Sequence, residues 1–169
     1  ISKIKNIKLL DYSYENVNIL NKHNIKSKYI PYQRYLPEIF DFPKNYDVAI
    51  IGLDLLNDWS SRRYKIYNKL KKLGVKINNI IGFYDNRDNL LFRHKILLNI
   101  HHNKDYNIFE EMRCTRCVFN KIIVITEESQ NLSEYKYYDK IIEVKYESIV
   151  DKTLEILENY KYNYKMLFN

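Results

Sequence analysis

The chain has 169 residues, 46% of them hydrophobic and 29% charged, which fits one well-cored domain and places it among globular rather than disordered chains. A net charge of +7 and a pI near 9.2 permit nucleic acid, anionic membrane or phosphorylated small molecules as partners without choosing among them. No apolar run approaches the ~18 residues that span a bilayer, no signal-peptide pattern opens the chain and two cysteines cannot build a disulfide framework, so a reduced, cytoplasmic chain without a membrane span is expected.

The first residue is Ile1 rather than Met, so a stretch upstream of this sequence is expected. Richness in Lys, Asn, Ile and Tyr, including 17 tyrosines, follows codons made mostly of A and T and points to an AT-rich genome such as that of a parasite or a giant DNA virus. For a virus the compartment would be the host cytoplasm. Lys3, Lys5, Lys8, Lys22, Lys26 and Lys28 are dispersed rather than interleaved with aromatic and glycine residues, which reads as a solvated surface and makes nucleic acid the less expected partner.

In chain order, 5–11 reads as a strand, 14–22 as a short helix and 27–32 as a strand. Pro31, Pro37 and Pro43 mark a linker and a boundary near residue 44, so 1–44 is expected to be a short α/β piece belonging with a missing amino-terminal half and 45–169 the main domain. Tyr46 to Gly52, with Asp47 its one charged residue, is a nearly continuous apolar run closed by glycine, the pattern of a strand buried on both faces. Over 60–73, Tyr64, Tyr67 and Leu70, with Ile66 and Leu73, recur at helical spacing, with Ser60 or Ser61 as N-cap and Gly74 as the stop. Strands over 75–83, 95–100, 121–126 and 140–145 alternate with helices over 86–94, 107–119 and 148–160. This order predicts an α/β fold, a Rossmann-like parallel sheet flanked by helices.

Chemistry in such a fold lies beyond the carboxyl ends of the strands. Gly52 closes the first main strand and Arg62 and Arg63 open the following helix, so amides and guanidinium groups suit a phosphate there, although both arginines also fit a solvated first turn. Neither GxGxxG nor GxxxxGK[ST] is present, so dehydrogenase and P-loop chemistry are not indicated and no cofactor is expected. On the 107–119 helix, Ile108, Met112, Thr115 and Phe119 share one side, with Glu110, Arg113, Cys114 and Cys117 roughly opposite. Asn107 as N-cap with Glu110 reaching back would form a capping box, and Glu110 and Arg113 are one turn apart. Cys114 and Cys117 with His101 and His102 offer zinc ligands in principle, but a cysteine pair within one helix is a poor chelating knuckle, and no metal is expected.

Asp11-Tyr12-Ser13, Lys28 to Pro31, Val48 to Gly52, Arg62-Arg63, Lys95-Ile-Leu-Leu-Asn-Ile-His101, Ile108-Phe109-Glu110 with Arg113, and Val124 to Glu127 together resemble the carboxy-terminal half of a GT-B glycosyltransferase, of the bacterial and giant-virus glycosyltransferase-like group. The resemblance runs through nearly all of the chain. It implies a nucleotide-sugar donor site, with Glu110 on the ribose, Gly52, Arg62 and Arg63 toward the diphosphate, Asn99 and His101 at the sugar-facing lip, and Arg113, one turn from Glu110, also among the donor-binding residues. It also implies glycosyl transfer to an unknown acceptor. Departures from the family pattern are Asn103 and Lys104 where the first acid of an acidic-x7-acidic motif is sought, and Asn120-Lys121-Ile122 in place of Gly-x-Pro. The contrasting expectation is a non-catalytic basic α/β module for nucleic acid or a protein partner.

Overall fold

The computed structural model describes residues 8–33, 38–52, 58–82, 84–105 and 107–169. Its main sheet has five strands: β3 (Tyr46–Ile50), β4 (Ile77–Asn79), β5 (His94–Asn99), β6 (Ile123–Glu127) and β7 (Ile141–Val144). They lie in the order β4-β3-β5-β6-β7 and every pairing is parallel. Isoleucine, valine and leucine crowd β3, β5 and β6 because both faces are covered. In strand Val48-Ala49-Ile50 and its neighbours the side chains alternate between two cores. Val48, Ile50, Ile96, Leu98, Ile123 and Ile125 pack under Ile66 and Leu70 of α2 (Arg62–Lys72) and Ile149, Val150 and Ile156 of α5 (Ile149–Glu158). Ala49, Leu97 and Val124 face the other way, toward Leu91 of α3 (Tyr84–Leu91), Cys114, Cys117 and Val118 of α4 (Glu111–Phe119), Leu132 and Tyr135. The expected α/β fold, a Rossmann-like parallel sheet with helices on both faces, is thus what the chain adopts.

Several boundaries differ from expectation for physical reasons. The 107–119 helix begins only at Glu111, since Ile108 forms an isolated bridge with Gln130 and Phe109 is driven into the core at 1% exposure. The capping box is therefore absent: Glu110 occupies the N-cap position and makes no side-chain cap bond. The buried face of α4 carries Glu111, Cys114, Thr115, Cys117 and Val118, while Met112 is exposed, so the apolar side expected around Met112 is not the core side. His94, expected at a helix end, opens β5. A further helix, α6 (Tyr160–Phe168), follows α5, and Tyr160, Tyr164 and Phe168 pack together along it. The amino-terminal part of the strand expected over 5–11 lies outside the described residues, as does Phe83.

Ahead of the main sheet, β1 (Leu9–Asp11) and β2 (Ser27–Tyr29) form a two-stranded parallel sheet bridged by α1 (Tyr14–Lys22). Ser13 caps α1 by accepting from the Asn16 amide at 3.3 Å. This unit seats on α4. The Tyr29 hydroxyl and the Tyr32 amide both donate to Glu111 Oε1 at 3.0 Å, and the Tyr14 and Tyr29 rings stack and meet Tyr135 edge-on. Burial holds the Glu111 carboxyl above the usual carboxylate range, with those two donors pulling the other way.

Candidate functional site

From β3 the chain crosses to β4 on one side, and from β5 it proceeds to β6 and β7 on the other, so the topological switch lies between β3 and β5. Crossovers diverge there and leave a crevice beyond the strand ends. A cleft of about 580 Å³ occupies this place, lined by Ile51, Gly52, Arg63, Arg87, Glu110 and Arg113 among others, a volume within the usual range of ligand pockets.

Each cleft residue is held by its element. Ser61 caps α2 by accepting from the Tyr64 amide at 3.1 Å, and the first turn so fixed directs Arg63 across the crevice, where Nε donates to the Ile100 carbonyl at 2.8 Å. Arg63 thereby ties the start of α2 to the end of β5. Arg113, in the first turns of α4, donates from Nη1 to Asn99 Oδ1 at 3.4 Å, and the Asn99 amide donates to Thr126 Oγ1 at 3.0 Å. Asn99 is 1% exposed. It is a buried relay that orients Arg113 rather than a group at the lip. Glu110 stands at the mouth of α4, with no side-chain cap bond to hold it to the helix.

Two further arginines reach the cleft. Arg116 lies one helical turn after Arg113, and Arg87 comes from α3. Both are anchored on Asp88, which is 6% exposed: Arg87 Nε donates to Oδ1 at 2.9 Å and Arg116 Nη2 to Oδ2 at 2.7 Å, with Glu38 accepting from Arg116 Nε at 3.2 Å. The rest of the lining is mostly apolar, from Ile51, Ile80, Ile81, Leu91 and Met112, with His102 and with Tyr12 of the amino-terminal unit. Four guanidinium groups around an apolar slot with one carboxylate suit a ligand that carries phosphate at one end and a flat or apolar body at the other.

Of the residues expected at the site, Gly52, Arg63, Glu110 and Arg113 come together in this cleft, and Asn99 lies behind it. Arg62 and His101 turn elsewhere. Arg62 is ion-paired to Glu127 and lies 4.2 Å over the Tyr146 ring, its side chain only 15% exposed, and the Tyr146 hydroxyl donates to the Arg62 carbonyl at 2.9 Å. The second Glu127 oxygen accepts from the His101 amide at 3.2 Å, and His101 Nε2 faces the Glu128 carbonyl at 3.0 Å and Ser129 Oγ at 3.3 Å. These contacts form a buried network at the ends of β5 and β6. Arg116 was legible from its spacing to Arg113, since i and i+3 share a helix face; Arg87 carried no comparable signal.

Cys114 and Cys117 are free and fully buried, and burial pushes the Cys117 thiol up to about 12 and the Cys114 thiol well above its ordinary value. Among the described residues no group of three or more histidine, cysteine or acidic side chains could hold a metal ion, and no helix is long and apolar enough to cross a membrane.

No family model matches the chain. It is similar to uncharacterized proteins of Acanthamoeba polyphaga mimivirus. One is 36% identical over 170 residues, covering 94% of this chain and 54% of that protein. A second is 35% identical over 174 residues, covering 96% of this chain and 23% of that protein, and a third is 33% identical over 170 residues, covering 96% and 57%. The chain has giant-virus relatives, and it spans about half the length of the first and third and about a quarter of the second.

Proposed function

We propose that the crevice between β3 and β5 binds a nucleoside diphosphate sugar and that the chain is the donor-binding part of a glycosyltransferase. The observation that carries this reading is the convergence of Arg63, Arg113 and Glu110 beside Gly52 at the switch point of a parallel sheet. Arg63 and Arg113 face the diphosphate, and Glu110 accepts from the ribose hydroxyls. The apolar wall of Ile80, Ile81 and Leu91 takes the base. In transfer, the bond between the anomeric carbon and the diphosphate oxygen breaks, the acceptor oxygen bonds to that carbon, and the acceptor proton passes to a base. Charge grows on the leaving diphosphate, and preoriented guanidinium groups stabilise it more than they stabilise the bound donor. Arg63 and Arg113 are preoriented by the Ile100 carbonyl and by Asn99. The acceptor and its base belong to whatever completes the site.

Calorimetric titration with uridine and guanosine diphosphates tests the reading. Saturable binding is expected, and Glu110→Ala should weaken it by ~1.5 to 3 kcal/mol, the range for hydrogen bonds to a charged group. The variant should keep its fold, since Glu110 makes no cap bond. No heat with either nucleotide, or steeply salt-dependent binding to DNA in its place, would contradict the reading.

A further inference from the structure

A second cavity lies at the opposite end of the sheet. Just before β3, the Lys44 ammonium donates to the Phe92 carbonyl at 2.7 Å and to the Asn120 carbonyl at 2.9 Å. Phe92 follows α3 and Asn120 is the C-cap of α4, so one cation answers the negative ends of two helices. Lys44 forms part of a cavity of about 580 Å³ whose walls include Phe40, Phe42, Tyr160 and Tyr164. Phe40 stacks on Phe42 and on Phe92, each at 5.3 Å between ring centres.

Three features give this cavity a chemical preference. An ammonium has three N–H donors, and the two hydrogen bonds of Lys44 leave one over. The Tyr160 hydroxyl is buried without a hydrogen-bond partner, a state that native structures rarely leave unsatisfied. Lys121 and Lys161 also line the cavity, with Asp41 as the single acidic residue among its lining. Aromatic walls favour a flat apolar body, and the lysines favour an anion.

We propose that this cavity is a second binding site, for a small aromatic carboxylate whose ring lies among Phe40, Phe42 and Tyr164 and whose carboxylate accepts hydrogen bonds from Lys44 and Tyr160. The site is independent of the crevice between β3 and β5. Burial pushes the Lys44 ammonium down to about 8, with Cys117 and Asp41 opposing that and Lys121 adding to it, so affinity for the carboxylate should fall between pH 7 and pH 9.

Amide-resolved NMR titration with 2-naphthoate, and with 2-naphthylmethanol as its neutral counterpart, tests the proposal. Saturable shifts are expected over 40–44, 119–121 and 160–164, with the alcohol at least tenfold weaker. Lys44 also holds two helix ends together, so the variants chosen are Tyr160→Phe and Lys161→Ala, which leave those bonds in place. Each should weaken naphthoate several-fold with an otherwise unchanged spectrum. Shifts confined to the neighbourhood of Arg63 and Arg113, equal affinity for the alcohol, or unchanged affinity in both variants would each overturn it.

Discussion

Asp88 is the counter-charge beneath the arginine cleft, and Asp88→Ala should expose how much the fold depends on it. At 6% exposure it accepts from Arg116 at 2.7 Å and from Arg87 at 2.9 Å, and Arg116 itself is 12% exposed in its side chain. Breaking a buried ion pair by removing one partner costs about 3 to 5 kcal/mol, because a desolvated charge is left without compensation. Glu38 still accepts from Arg116 Nε at 3.2 Å, but it is 32% exposed, so the compensation is partial and the low end applies, about 3 kcal/mol. For a chain of this length that corresponds to a melting temperature lowered by about 6 to 12 °C. Arg116→Met leaves Asp88 paired with Arg87 and should cost less. Asp88→Ala combined with Arg116→Met removes both charges and should recover part of the loss. Urea unfolding of the four proteins measures these differences. A loss below ~1 kcal/mol for Asp88→Ala, or a double variant that merely sums the single losses, would show that the cluster is not the coupled buried network described above.

His94 is fully buried, with Nδ1 facing the Leu90 and Leu91 carbonyls and Nε2 accepting from the Asn78 amide at 2.9 Å. Burial holds its folded value below the ordinary one, so the unfolded chain takes up the proton first. Stability should be full above pH ~7 and decline as pH falls through ~6.5; urea midpoints that stay level from pH 7.5 to 5.5 would refute this. Cys114 and Cys117 should resist a thiol-specific disulfide reagent in the native protein and react only on unfolding, and stoichiometric native labelling would show that their burial is wrong. Trp59, the single tryptophan, is 75% exposed, so acrylamide should quench its emission nearly as well as that of free tryptophan; strong protection would contradict its placement.

The sheet was legible because its signal is local. Val48 to Ile51 and Ile96 to Leu98 are apolar runs too short for helices and too continuous for half-exposed strands, and Ser61 and Gly74 bracket α2 by cap chemistry alone. What sequence missed was decided by distant partners. Glu127, 65 residues away, draws Arg62 out of the crevice, and nothing around Arg62 announces it. Asn107 looks like an N-cap, yet the burial of Phe109 outweighs a cap worth ~1 kcal/mol and delays the helix to Glu111. That Cys114 and Cys117 rather than Met112 meet the sheet does not follow from helical spacing, which gives relative positions around an axis and not which arc is buried. Of the four expected residues that meet in the cleft, Gly52 and Arg63 follow from β3 and the α2 cap, while Glu110 and Arg113 follow from the family resemblance.

The most direct measurement is a crystal structure of the chain saturated with a uridine or guanosine diphosphate sugar. The diphosphate is expected against Arg63 and Arg113, the ribose hydroxyls on Glu110 and the base along Ile80, Ile81 and Leu91. A nucleotide bound away from the switch point between β3 and β5, or no nucleotide at saturating concentration, would contradict it.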